Sequence, residues 1–261
     1  MVMGPTHAMS GAAIGLAMAA TLPPEWGGPT SIAGAFVFAG VTAGAALLPD
    51  LDSPQATIAR SFGPASQVLA HVTENAARAV YSATRTKRDS RKENGHRTAT
   101  HTILFAVLAG LATGGLVAAF GMTASVGILF VMLGLALRGL FPRWAKKNGW
   151  LIVTGASAIL AWGTWRLLPE SASAIALGAS VTVGVLAHLL GDVITKRGVP
   201  MLAPLVKISG KRWYDVRPPE ILRIRASGPF DKLLLTACTV AVVVLTYLIV
   251  FDPARIGVAW A

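Results

Sequence analysis

Long apolar stretches recur along this chain, and they constrain its fold more than any other feature. A helix needs about 20 apolar residues to cross the hydrocarbon core of a bilayer. Seven stretches approach that length: residues 8–22, 31–49, 99–121, 122–142, 149–168, 171–194 and 232–251. The first is short and the third and fourth nearly abut, so six spans are the alternative. Because open strand edges cannot be satisfied in lipid, the sequence predicts an all-α polytopic transmembrane helical bundle, with residues 1–261 as a single integral membrane domain.

The basic residues indicate how this bundle is oriented. Of the 23 Lys and Arg residues, eight fall in the second connection, four around the fourth and nine in the sixth, while the odd-numbered connections are almost bare. Cytoplasmic loops of membrane proteins carry such an excess of positive charge. We therefore predict a multi-pass protein of the cell inner membrane with a cytoplasmic N-terminus, an extracytoplasmic C-terminus, and basic cytoplasmic loops at about 53–98 and 195–231.

The net charge of +11 raises the alternative of nucleic-acid binding. The most basic run, TRTKRDSRK at residues 84–92, contains no aromatic residue that could stack on bases. A cytoplasmic loop that touches anionic lipid explains this run more simply. We therefore expect membrane lipid as the partner of the basic loops and expect no nucleic acid; the sequence does not indicate an oligomeric state.

Four of the five histidines and three aspartates fall at the predicted cytoplasmic face. They are His7 before the first span, Asp50 and Asp52 at the end of the second, His96 and His101 at the start of the third, and His188 and Asp192 at the end of the sixth. The orientation rests on Lys and Arg alone, so this second asymmetry is independent of it. Since a charged residue at membrane depth costs several kcal/mol unless it is paired, these residues are candidates for one shared site.

Imidazole nitrogen and carboxylate oxygen are ligands that suit zinc, manganese or iron. His188 and Asp192 are four residues apart, so they share a helix face and could bind one ion together. Asp50 and Asp52, on an extended exit after Pro49, could point the same way and offer two oxygens. Because a catalytic zinc takes three protein ligands, so many candidates predict either two ions or one ion with an outer shell. An uncoordinated aspartate could then serve as general base.

Four motifs resemble, in the same order, those of the LexA-binding, inner-membrane-associated hydrolases, also described as metal-dependent membrane hydrolases. They are THAMSG at 6–11, LLPDLDS at 47–53, GHRTATHT at 95–102 and AHLLGDVITKRGVPMLAP at 187–204. The resemblance implies that the functional positions are His7, Asp50, Asp52, His96, Arg97, His101, His188, Asp192 and Thr195. Two positions depart from the pattern, Thr102 where Ser is common and Lys196 where Pro is common, and neither departure removes a candidate ligand.

Together these features predict a membrane-embedded hydrolase that depends on one or two divalent ions, zinc first and manganese or iron as alternatives. Its expected metal ligands are the four histidines and three aspartates, with Asp52, Arg97 and Thr195 as catalytic residues. Arg97 and Lys196 could bind a phosphoester or lipid-like anionic substrate. Two other classes stay open: a transporter with a structural metal site, and a regulatory scaffold that binds a cytoplasmic partner through its basic loops.

Overall fold

A computed structural model of the chain describes residues 3–225 and 227–256, and within them eight α-helices form the fold. They are α1 Gly4–Ala19, α2 Ile32–Ala45, α3 Pro64–Thr84, α4 Ile103–Phe120, α5 Met122–Leu140, α6 Pro142–Leu167, α7 Ala174–Val193 and α8 Pro229–Phe251. In those ranges the only β pairing consists of isolated bridges. The predicted all-α fold is thus confirmed. The end of the chain, residues 257–261, lies outside the described ranges, so the predicted extracytoplasmic C-terminus stays a prediction.

Five helical segments are long and apolar enough to cross a membrane. They are Ile32–Asp52, Ile103–Phe120, Met122–Leu140, Ala174–Val193 and Pro229–Phe251. The other two predicted spans correspond to α1, which has 16 residues and so a length of only about 24 Å, and to α6. The latter has basic residues near its start and non-helical backbone at Gly149, with φ 75°. The structure therefore supports a helical membrane bundle, while the count of seven spans and the orientation stay predictions.

Small residues let α1, α2 and α7 approach one another closely. A Cβ atom added to Gly11 would lie 2.7 Å from Ala46 Cβ, and one added to Gly184 would lie 2.5 Å from Ala45 Cβ. Such small-residue contacts are typical of helix packing in membranes, because they bring backbones together. These three helices, with the turn after α2, carry five of the seven predicted ligands, so their close packing sets the distances between those side chains.

A layer formed by α3 and the loops around it packs against one end of the bundle. The Trp213 amide donates a hydrogen bond to Asp89 Oδ1 at 3.1 Å, and the Tyr81 hydroxyl donates to the Ser90 carbonyl. The second and sixth connections, which the sequence presents as separate basic loops, thus form one structure. This layer contributes His96, Arg97 and their surroundings to the site.

Within this layer, α3 has two different apolar sides. Ala70, Ala77 and Tyr81 are buried against the protein, whereas Val68 and Val72 are 64% and 59% exposed. A helix that buries one side in protein and leaves a second apolar side open is suited to the membrane interface.

Candidate metal centre

Four segments from distant parts of the chain meet at one buried site. His7 lies in the first turn of α1, and a 3₁₀ turn, Pro49–Asp52, ends the span that begins with α2. A second 3₁₀ turn, Ala99–His101, precedes α4, and the last turns of α7 complete the site. Five predicted ligands have no exposed surface, and Asp50 is 2% exposed: His7, Asp52, His101, His188 and Asp192 are the five.

Local sequence explains why these turns stop where they do. Pro49 occupies the first position of its 3₁₀ turn, where a missing N–H costs nothing. Thr102 caps α4, because its Oγ1 accepts a hydrogen bond from the Phe105 amide at 3.0 Å. The cap keeps His101 outside the helix. Threonine can therefore do what serine commonly does at this motif position, since either hydroxyl can form the cap.

The hydrogen bonds of His188 and His101 determine which ring nitrogen carries the proton. His188 Nδ1 lies 2.8 Å from the Ala46 carbonyl, which can only accept, so Nδ1 is protonated and Nε2 has a free lone pair. His101 Nδ1 lies 3.0 Å from the Thr100 hydroxyl, whose own proton goes to Asp52 Oδ2 at 2.5 Å. His101 Nδ1 is therefore a donor as well.

The two Nε2 lone pairs then face each other at 3.2 Å. Two lone pairs at this distance repel, and the arrangement is stable only with a positive charge between or beside them. A metal ion supplies that charge, and a second-shell bond on Nδ1 is the usual arrangement for a metal-ligating histidine. The chemistry of this donor set thus fits a divalent ion.

Two carboxylate oxygens complete a compact set of four donor atoms. Asp50 Oδ1 lies 3.9 Å from both Nε2 atoms, and Asp192 Oδ2 lies 3.7 Å from that of His101 and 3.8 Å from that of His188. Donor atoms about 2.1 Å from one tetrahedral ion are about 3.4 Å apart. The spacing is close to that value. Asp50 Oδ1 is also buried without a hydrogen-bond partner among the described residues, which a metal would provide.

Asp50 and Asp52 take different positions, contrary to the expectation that they point the same way. The 3₁₀ turn directs Asp50 toward Nε2 of His101, whereas Asp52 Oδ2 lies 3.4 Å from its Nδ1. Asp52 also contacts His96 Nδ1 at 2.6 Å and accepts from the Arg97 amide at 3.2 Å. Its oxygens are thus engaged in orienting two histidines, which suits an outer-shell residue better than a general base.

The remaining candidates surround the four donor atoms. His7 stacks on the His188 ring with centroids 3.9 Å apart, and its Nε2 lies 3.4 Å from Asp192 Oδ1. Both His7 ring nitrogens are buried without a hydrogen-bond partner among the described residues. Arg97 Nη2 lies 2.5 Å from Asp192 Oδ2. Against three clustered carboxylates, this guanidinium is the one permanent cation in contact, so the site as described favours a further positive charge.

Two predicted residues lie outside the cluster. Thr195 Oγ1 donates to the Asp192 carbonyl at 2.7 Å, so it stabilises the end of α7. Lys196 is exposed and lines a basic cleft beside the site. Thr100 and the Ala46 carbonyl are contributors that sequence reasoning missed. The first lies inside a quoted motif, whereas a backbone carbonyl leaves no signal in a sequence.

Three overlapping groups of donors, each within 4.8 Å, could hold an ion. They are His7, Asp50 and His188; Asp50, His96 and His101; and His101, His188 and Asp192. The roles of the predicted site residues remain predictions, but the structure brings all seven candidate ligands, together with Arg97, into one region.

Comparison with known proteins supports the membrane assignment. No curated protein and no solved structure matches the chain. A family model described as YdjM inner membrane protein matches residues 1–141 and 149–256, which is nearly the whole chain. The match agrees with a bundle whose apolar helices fit a membrane. The chain therefore belongs to the YdjM inner membrane protein family.

Proposed function

We propose that this protein is a membrane-embedded, metal-dependent hydrolase. Its first ion is held by His101, His188, Asp50 and Asp192. The observation that carries the proposal is the pair of Nε2 lone pairs, 3.2 Å apart, with a carboxylate oxygen on either side. Zinc is the expected ion, because it accepts a tetrahedral set of nitrogen and oxygen ligands, whereas manganese prefers more oxygens.

A bound divalent ion supplies an activated water near neutral pH and polarises the bond to be cleaved. The chain's own residues orient the groups around it. His96 is held by Asp52 through Nδ1 and has 18% of its side chain exposed, on the wall of the basic cleft. It is therefore placed to move a proton between cleft and centre, the role that the sequence suggests for Asp52.

His7 supports a second ion as an alternative to a single one. The Asp192 carboxylate faces His101 and His188 with Oδ2 and faces His7 with Oδ1. A bridging carboxylate of this kind is common where two metals lie close together. With one ion, His7 instead packs against His188 as an outer-shell residue.

The transporter alternative is less well supported by this geometry. Such proteins bind their ions between discontinuous helices near the bilayer midplane. Here the helix that carries His188 and Asp192 is continuous from Ala174 to Val193, and the cluster lies at helix ends. The scaffold alternative uses the basic loops and makes no use of the buried donor atoms.

Metal analysis of purified protein tests the proposal. We expect wild type in detergent to retain one or two equivalents of zinc and to hydrolyse at least one member of a panel of phosphoesters and lipid esters. His188→Ala and Asp50→Ala should lose the metal and the hydrolysis together, because each removes a donor atom. His71→Ala is the matched control, since His71 is an exposed histidine on α3, outside the cluster.

Full metal content in both ligand variants would contradict the assignment. Metal in wild type without turnover of any substrate would favour a structural ion and the scaffold reading.

A further inference from the structure

A basic cleft of about 400 Å³ opens beside the candidate metal centre. This volume lies within the range of roughly 300–1,000 Å³ that is typical of small-molecule sites. Its walls come from both loop connections and are lined by Lys92, Asn94, His96, Arg97, Lys196, Arg197, Gly198, Asp215 and Arg217. Besides Arg97, four cations thus face one carboxylate.

The charges of this cleft are not used to hold the fold together. The side chains of Lys196, Arg197 and Arg217 make no hydrogen bond or ion pair among the described residues, and Asp215 lies in no ion pair there. Lys92 donates from Nζ to the Arg97 carbonyl at 2.9 Å. Burial lowers the pKa of Lys92, and the nearby Arg97 lowers it further against the opposing effect of Asp215. A site that collects cations at this cost favours an anionic ligand.

Arg97 provides a second, independent indication. Its side chain is 93% buried, Nη1 and Nη2 donate to Gly198 and Asp192, and Nε is buried with no hydrogen-bond partner among the described residues. An unsatisfied buried donor of this kind costs roughly 1–3 kcal/mol. Arg97 adopts φ 57°, a backbone conformation that is uncommon outside glycine. The cleft that it lines therefore contains a donor that a bound oxyanion could satisfy.

We propose that this cleft binds the phosphate group of the substrate, with Lys196 and Arg217 as its principal contacts. The proposal rests on the proposed hydrolase function and names the substrate class as a phosphoester. Phosphate is the favoured anion because it offers several acceptor oxygens and up to two charges, which match a group of Lys and Arg donors. Since His96 and Arg97 belong to both the cleft and the centre, a phosphate bound here lies next to the metal ligands.

A second basic cleft in the same loop layer provides the matched control. It has about 470 Å³ and is lined by Thr86, Lys87, Arg88, Lys207 and Gly210. Like the first cleft it is rich in cations, but none of its lining residues belongs to the candidate metal centre. Charge alone would make both clefts bind phosphate, whereas a substrate site predicts binding at the first cleft only.

The test is a calorimetric titration of zinc-loaded, detergent-solubilised protein with inorganic phosphate at fixed ionic strength. We expect Lys196→Ala with Arg217→Ala to weaken phosphate binding at least about tenfold, since a hydrogen bond to a charged group contributes about 1.5–3 kcal/mol. Lys87→Ala with Lys207→Ala, which removes the same charge, should change it less than about twofold. Metal content, measured in each sample, should be unchanged in both double variants.

Absence of phosphate binding in wild type, or equal losses in the two double variants, would overturn the proposal. Phosphate binding that depends on Lys196 and Arg217 in a protein without hydrolytic activity would retain the cleft and refute the proposed function instead. Competition by glycerol 3-phosphate and by a short-chain phosphatidic acid then identifies the source of the phosphate. Stronger competition by the second indicates a lipid headgroup, and equal competition indicates a soluble phosphoester.

Discussion

The last two membrane helices, α7 and α8, are both long and apolar but relate to the protein in opposite ways. In α7, 44% of the candidate span is buried, against 6% in α8. The polar residues His188 and Asp192 of α7 are fully buried, whereas Val243 and Tyr247 of α8 are more than half exposed. Mean hydropathy identifies both helices as spans, at 1.9 and 2.6. Burial, which hydropathy does not report, decides which helix can carry polar chemistry.

The more exposed helix still contributes to the site indirectly. Asp231, in the first turn of α8, is 2% exposed and accepts a hydrogen bond from the Ser227 amide at 3.1 Å. Its other oxygen lies 3.5 Å from the Met3 amide, just before α1. α8 thus supports the helix that positions His7, while α7 supplies donor atoms directly.

The largest expected effect comes from breaking the charge pair of α7. Asp192→Ala leaves the buried Arg97 guanidinium without its carboxylate, and we expect a loss of about 3–5 kcal/mol in the free energy of unfolding. The measurement is thermal unfolding of metal-free protein in detergent, where the apparent Tm should fall by roughly 10 °C. Asp231→Ala in α8, which removes one helix-terminal carboxylate, should cost about 1 kcal/mol.

A double variant sharpens this result. Arg97→Met combined with Asp192→Ala should recover more than half of the lost stability, because no buried charge then remains unpaired. A double variant no more stable than Asp192→Ala alone would show that the pair does not account for the loss.

An intermediate effect is expected from the packing side of α7. A Cβ atom at Gly184 would lie 2.5 Å from the Thr42 carbonyl oxygen, so Gly184→Ala must push α7 away from α2. We expect a cost of about 1–3 kcal/mol, again measured by thermal unfolding, together with weaker zinc retention. Gly155→Ala in α6 is the control, because no atom lies within 4 Å of the added Cβ. Equal losses at both glycines would contradict the close-packing account.

The smallest expected effect concerns the connection between α7 and α8, which docks on Asp89. Burial raises the pKa of the Asp89 carboxyl, but hydrogen bonds from Thr86, Trp213 and Arg212 outweigh burial and lower the pKa overall. The stabilisation is therefore complete above the unfolded pKa of about 3.9 and is lost as pH falls through the lower folded pKa. We expect Asp89→Asn to cost about 1–2 kcal/mol at pH 6, measured as faster hydrogen exchange of the Trp213 amide.

Acid provides the internal control for this prediction. Between pH 5 and pH 2, exchange at Trp213, corrected for its intrinsic pH dependence, should rise in wild type toward that of Asp89→Asn. The variant itself should change much less over this range. A parallel response of the two proteins would assign the acid sensitivity to other carboxylates.

The sequence by itself determined the fold class and most of the membership of the site. Apolar runs of about 20 residues are a local property, so they locate α4, α5, α7 and α8 to within a few residues. The polar residues at the ends of these runs indicate a shared site, because His188 and Asp192 share a helix face and other motifs fall at neighbouring helix ends. Length is less secure at the margins: α1 is a helix, but its 16 residues leave open whether it crosses the membrane.

Only the tertiary structure decided what each polar side chain does. His96 meets Asp52 across 44 residues, Arg97 meets Asp192 across 95, and His188 meets the Ala46 carbonyl across 142. These pairings depend on how closely α1, α2 and α7 pack and on which side of a 3₁₀ turn a carboxylate leaves. The physical reason is that hydropathy and helix periodicity act over neighbouring residues, whereas hydrogen bonds between distant segments depend on sub-ångström packing, which no local pattern encodes.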